Sequence, residues 1–91
     1  MDDASPPPRP DLYVVARFLD RLGESPGGHL RTKLQQAVRL NYDLYRSYLS
    51  WLTTKGWVEV IDERVVLTKA GLDARERLLG WIRDAFGDIR L

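Results

Sequence analysis

The stretch from Leu40 to Trp57, LNYDLYRSYLSWLTTKGW, constrains the chain more than any other, because it spells one capped amphipathic helix with a face left over. Asn41 is a good N-cap: its side-chain oxygen accepts a hydrogen bond from an amide of the first turn that has no partner within the helix. Gly56 ends the helix, where a left-handed residue is wanted. With Leu44 set at zero and 100° per residue, Tyr48, Trp51 and Leu52 fall within roughly 80° of it. Tyr45 and Leu49 widen that sector into a buried stripe. Tyr42, Asp43, Arg46, Ser50, Thr53 and Thr54 take the opposite face, which is short, hydroxylated and aromatic, with one arginine. It lacks the alternating long acids and bases of an ordinary solvated helix, and so suits contact with another molecule.

What precedes Asn41 sets the geometry. Leu30, Leu34, Ala37 and Val38 give a second helix from His29 to about Val38, with Arg31, Lys33, Gln35 and Gln36 on its other side. Only Arg39 and Leu40 separate it from the N-cap. Two helices joined so tightly cross steeply, in a helix-turn-helix arrangement. Further upstream, Leu12, Val15, Ala16, Leu19 and Leu22 repeat at helical spacing until Gly23, and Glu24 to Gly28 (ESPGG) form a loop. His29 is expected at the helix start, exposed to solvent. Residues 1–10 carry four of the five prolines, lack large apolar side chains after Met1, and are expected to be a disordered tail.

After Gly56 the apolar period changes from 3.6 to 2. Trp57 to Ile61 and Arg64 to Leu67 are rich in β-branched residues around Asp62 and Glu63, which predicts a two-stranded hairpin packed on the helices through Trp57, Val60 and Val66. Asn-Gly and Asp-Gly, the usual tight-turn dipeptides, are absent from the tip. Thr68 caps a long last helix from Lys69 to about Phe86 or beyond. This helix shows one stripe of Leu78, Trp81 and Ala85 and a second of Leu72, Leu79, Ile82, Phe86 and Ile89, near a 3.5 period. Either both stripes pack inside one monomer, or one of them meets its copy in a second subunit.

At 91 residues, with 44% hydrophobic and 30% charged, the chain has the length and composition of one small globular domain. The expected division is a tail (1–10), a domain (11–68) and a C-terminal helix (69–91). A net charge of +1 implies no partner by itself, so any nucleic-acid contact needs local positive charge. The absence of cysteine excludes disulfides and thiolate metal sites. No apolar run is long enough to span a bilayer, and the start, MDDASPPPRP, is unlike a signal peptide; a cytoplasmic location is the expectation. His29 is the only histidine and has no matched acids nearby. Gly27-Gly28 lacks the lysine and serine of a phosphate-binding loop. No catalysis, cofactor, metal or small-molecule substrate is expected.

The run RTKLQQAVRLNYDLYRSYLSWLTTKGWVEV followed by VVLTKAGLDARERL resembles the archaeal winged helix-turn-helix transcription regulators. Thr32 and Lys33 match the opening of that family's second helix, and Asn41 and Tyr42 the opening of its third. Tyr48, Leu49, Leu52, Lys55 and Gly56 match the motif that closes the third helix. Thr68, Lys69, Ala70 and Gly71 match the end of the hairpin. The chain departs from the pattern at Trp57, where the family has an aliphatic residue, and at the acidic wing tip, Asp62-Glu63. The resemblance implies an α+β fold: winged helix-turn-helix, with three helices, a two-stranded wing and a long C-terminal helix. It further implies a double-stranded DNA-binding regulator that is a homodimer, since several members dimerise through the C-terminal helix, some as an antiparallel coiled coil. On this expectation Arg46 reads bases, or else is a solvated charge. Tyr42 and Ser50 reach bases or phosphates, although Tyr42 could instead pack over the second helix. Asn41 opens the reading helix; Arg31, Thr32, Lys33 and Arg39 touch phosphates, and Arg64 enters the minor groove. The expected dimer interface is Leu72, Leu79, Ile82, Phe86 and Ile89. The competing expectation is a winged helix that docks a protein through Tyr42, Tyr45 and Trp57.

Overall fold

The computed structural model describes Pro7, residues 9–88, Arg90 and Leu91. Most of the expected tail, and Ile89 of the expected dimer interface, lie outside the described residues. The elements run α1 (Leu12–Gly23), β1 (His29–Leu30), α2 (Arg31–Val38), α3 (Tyr42–Thr54), β2 (Val58–Ile61), β3 (Arg64–Leu67) and α4 (Lys69–Phe86). The fold is α+β, with four helices, counting α4, among the described residues. Its antiparallel sheet has three strands in the order β1-β3-β2, not two.

The added strand corrects the reading of the second helix. His29 and Leu30 pair with Val65 and Arg64, and α2 begins only at Arg31. His29 is half-buried rather than solvent-exposed, with its Nε2 3.0 Å from the Arg21 carbonyl oxygen. Gly28 makes this approach possible. Its φ is +81°, and a Cβ there would meet the Val65 backbone oxygen and a Val66 methyl.

Each of three helices is started by a side chain. Asp11 accepts from the Tyr13 and Val14 amides at 2.8 and 3.3 Å, Asn41 from Leu44 at 2.9 Å, and Thr68 from Gly71 at 3.0 Å. α2 has no side-chain cap at its start. It closes on Arg39, a left-handed residue with φ 58°, and Arg17 of α1 donates to the Val38 carbonyl at 2.9 Å. Burial, and then the charges of Arg39 and Arg21, lower the Arg17 pKa from its ordinary value.

Phe18 of α1 is fully buried between two tyrosines of α3, with ring centroids 5.9 Å from Tyr45 and 6.1 Å from Tyr48. Leu19, Leu34, Val38, Leu52, Val58 and Val65 complete this centre. The α3 stripe is Tyr45, Tyr48, Leu49 and Leu52, with Trp51 partly buried at its edge. Leu44, expected at its middle, is 39% exposed. The stripe is therefore rotated toward Tyr45, because that ring stacks on Phe18 while its hydroxyl donates to the Arg31 carbonyl at 2.8 Å. Tyr48 accepts the Asp11 amide at 2.8 Å, tying the start of α1 to the middle of α3.

Burial pushes the Tyr45 pKa up to about 12 against an ordinary 10, with the Arg31 charge opposing. A raised folded-state pKa means that this contribution to stability is complete below pH 10 and is lost as pH rises through about 12. Tyr45→Phe should flatten that alkaline loss in urea titrations at pH 8 and pH 11. It should also cost about 1 kcal/mol at neutral pH, because it leaves the Arg31 carbonyl without its donor.

In the hairpin, Val58 and Val65 face the core, whereas Val60 is exposed and Val66 lies on the opposite face. The expected packing through Val60 and Val66 is thus replaced by Val58 and Val65; Trp57 is half-buried, edge-on to Trp51 at 5.7 Å. The tip residues Asp62 and Glu63 have φ 49° and 66°, the two positive values a type I′ hairpin turn requires, here without glycine.

α4 packs on α1, with Ala74 and Leu78 against the core and Ile82 buried, while Gly71 meets the hairpin. Gly71 lies under the Trp57 carbonyl, and a Cβ would run into that backbone oxygen. Gly71→Ala gains helix propensity of about 1 kcal/mol but forces helix and hairpin apart, so the expected net loss is about 1–3 kcal/mol in denaturant unfolding. Ile82, expected in a dimer interface, is 4% exposed and belongs to this chain's own core. Leu72 and Phe86 are 52% and 56% exposed.

Candidate nucleic-acid interface

The turn between α2 and α3 presents the start of α3 outward. Arg39 supplies the left-handed C-cap, the Gln35 amide donates to the Leu40 carbonyl at 3.3 Å, and Asn41 begins the next helix. Around that start, Asn41, Tyr42, Asp43, Leu44 and Ser47 line an open hollow of about 490 Å³. The Arg46 guanidinium lies 5.5 Å from the Tyr42 ring centre, one helical turn away. This cation–π contact, worth about 0.5–1 kcal/mol at an exposed site, holds the guanidinium along the outer face of α3.

A second hollow of about 290 Å³ runs between α3 and the wing, lined by Arg31, Leu49, Ser50, Thr53, Thr54 and Val60. It brings Arg31 of α2 and Ser50 of α3 to one place. Thr32 and Lys33 are exposed on the first turn of α2. Asn41, Tyr42, Arg46, Ser50, Arg31, Thr32 and Lys33 therefore surround the exposed side of the helix-turn-helix.

Two expected residues lie elsewhere. Arg39 reaches toward α1 and α4, where its Nη2 donates to the Leu91 oxygen at 3.2 Å, beside Arg21, which donates to the same oxygen at 2.6 Å. Arg64 bends back to the loop before β1 and donates to the Gly28 carbonyl at 3.2 Å, while the wing tip presents Asp62 and Glu63. A guanidinium tied down in this way is not extended from the tip toward a groove. Leu44 was missed as a surface residue: beside exposed Tyr42 it offers an apolar contact at the head of α3. Its leucine identity pointed inward, and only the packing of Tyr45 on Phe18 turns it out.

Among the described residues, no group of three histidine, cysteine, aspartate or glutamate side chains is placed to hold a metal ion. Among the same described residues, no helix is long and apolar enough to cross a membrane.

A pair of helices joined by a three-residue turn, backed by a third helix and followed by an antiparallel wing, defines the class of winged helix-turn-helix domains. The chain belongs to the winged helix-turn-helix family, whose model matches residues 9–84. That match spans everything from the residues before α1 to near the end of α4. No curated protein and no solved structure gives a match.

Proposed function

We propose that this protein is a homodimeric, sequence-specific double-stranded DNA-binding transcription regulator that places α3 in the major groove. The observation that carries the reading is the outer face of α3. An arginine is held along it by Tyr42, hydroxyl groups follow at Ser50, Thr53 and Thr54, and the cations of Arg31 and Lys33 flank it on α2. A B-form major groove about 12 Å wide admits such a helix. There Arg46 reads guanine by a bidentate contact, and Leu44 meets a thymine methyl. Arg31, Thr32 and Lys33 contact phosphates and fix the register without reading sequence. The acidic wing tip takes no phosphate in this reading, and Arg39 serves the α2–α3 turn.

Dimerisation is supported by Leu72, Leu79 and Phe86, which recur every seven residues along one flank of α4. Two of them are more than half exposed, and Leu79 is partly buried. Two copies would present two α3 helices to half-sites about 34 Å apart, one turn of DNA. The protein acts by binding, not by catalysis, in the cytoplasm where its DNA is.

Lys33→Ala should weaken binding to all duplexes alike and lower the slope of log affinity against log salt by about 1.8, one phosphate contact being lost from each protomer. Arg46→Ala should leave stability nearly unchanged and reduce discrimination at one base pair by about 1–3 kcal/mol. Competition of a selected site against random duplex measures both. Full discrimination retained by Arg46→Ala would take that arginine out of base reading.

A further inference from the structure

Between α1, the α2–α3 turn and the end of α4 lies a hollow of about 640 Å³ that the proposed DNA contact does not use. Arg21, Arg39, Arg83 and Arg90 line it, each from a different segment of the chain. Against these four guanidiniums stand two carboxylates, Asp20 and Asp88. Asp20 is already engaged, with Arg21 at 2.6 Å and Arg75 at 3.7 Å. Among the described residues, no acid lies within ion-pair distance of Arg83 or Arg90. Positive charge is crowded here: one helical turn before Arg21, burial and then the charges of Arg39 and Arg21 lower the Arg17 pKa. The cluster also holds an oxygen. Arg21 donates to a Leu91 oxygen at 2.6 Å, and Arg39 donates to the same oxygen at 3.2 Å. Two guanidiniums from separate elements that converge on one oxygen form the arrangement by which arginines grip a carboxylate or a phosphate.

We propose that this hollow is a binding site for a small doubly charged oxyanion, a metabolite carrying a phosphate or two carboxylates. Its oxyanion group takes the place of the Leu91 oxygen between Arg21 and Arg39, and Arg83 and Arg90 meet the remaining charge. The lining has two more guanidiniums than carboxylates, which matches a dianion. The volume falls within the roughly 300–1,000 Å³ of small-molecule sites, and Leu79 and Ile82 offer the ligand's carbon skeleton an apolar wall. The C-terminal end of α4, whose partial negative charge opposes an anion, carries Arg83 in its last turn. A duplex fits the hollow poorly, because Arg21 and Arg39 turn toward the chain beyond α4 and not toward the face that carries Tyr42 and Arg46. Of Leu72, Leu79 and Phe86, proposed for the dimer, only Leu79 lines the hollow.

The test is calorimetric titration of the full 91-residue chain with inorganic phosphate and, separately, with succinate, at constant ionic strength and at pH 8, where both probes are dianions. The expected result is saturable binding of one anion per chain with at least one probe, the tighter probe showing which charged group the site prefers. Arg39→Gln and Arg83→Gln should each weaken that binding about tenfold or more, through loss of a charge-assisted hydrogen bond. Both side chains are exposed, so neither substitution enters the core, and thermal unfolding checks that the fold is kept. Arg77→Gln, which removes a guanidinium paired with Asp73 outside the hollow, should leave the affinity unchanged. Absence of saturable binding with both probes would overturn the proposal. Binding that falls with Lys33→Ala but not with Arg39→Gln or Arg83→Gln would overturn it as well, by placing the anion on the outer side of α2. The titrations contain no DNA, so their outcome stands apart from the regulator reading.

Discussion

Phe18→Ala should lose about 3–5 kcal/mol of unfolding free energy, the largest effect expected from any single substitution in this chain. The ring is fully buried and is the surface on which α3 rests, through stacking on Tyr45 and Tyr48. Its removal takes away the transferred apolar area and leaves a cavity that two aromatic rings cannot collapse into without moving α3. Domains of this size have about 5–10 kcal/mol in total, so much of the variant should be unfolded well before the wild-type transition. Urea unfolding followed by circular dichroism gives the number. Leu44→Ala is the control: with Leu44 partly exposed at the head of α3, it should cost less than about 1 kcal/mol. Equal losses in the two variants would mean that the α3 stripe centres on Leu44 and that the packing described here is rotated.

The second large effect concerns assembly. Leu72→Arg combined with Phe86→Arg should convert a dimer to a monomer in sedimentation, while leaving the thermal transition of the domain within a few degrees. Both side chains are more than half exposed, so neither substitution buries charge in the monomer. In a dimer the same substitutions place four guanidiniums across the two-fold axis, where desolvation and repulsion far exceed what the apolar contact contributes. Operator affinity should fall by two orders of magnitude or more, because the second half-site is no longer held at the millimolar effective concentration that linkage provides. A wild-type protein that sediments as a monomer at the concentrations where it binds DNA would remove the dimer from the account.

Much of the architecture is carried by local signals. Asp11, Asn41 and Thr68 stand where three helices begin, and all three accept hydrogen bonds from first-turn amides. Gly56 has φ +78° just after α3, the conformation its position asks for. What was not legible depends on contacts distant in sequence. The β1 strand is two residues long, too short for any period, and exists because Val65 and Arg64, more than thirty residues away, pair with it. The inward face of the hairpin follows from register, and a single-residue difference in phase exchanges Val65 for Val66.

The candidate interface divides in the same way. Tyr42, Arg46 and Ser50 could be placed on the outer face from helical spacing alone, because α3 has clear ends. Arg39 and Arg64 could not be placed, since their guanidiniums are claimed by Leu91 and by Gly28, partners on other elements. Helical periodicity overstated Ile82 as an interface residue for a related reason. A stripe that recurs every three or four residues contains both the line that meets α1 and the flank beside it, and only packing separates them.

DNA binding by the α3 face can be measured as the salt dependence of wild-type affinity for duplex DNA, followed by fluorescence anisotropy with random and genomic fragments. If Arg31 and Lys33 of both protomers displace counterions from four phosphates, log affinity should fall against log salt with a slope of about −3.6, and a subset of fragments should bind at least a thousandfold more tightly than random sequence. Absence of salt-sensitive binding to any duplex would rule out DNA as the ligand of α3, and would leave the face around Tyr42 and Leu44 as a docking surface for another protein.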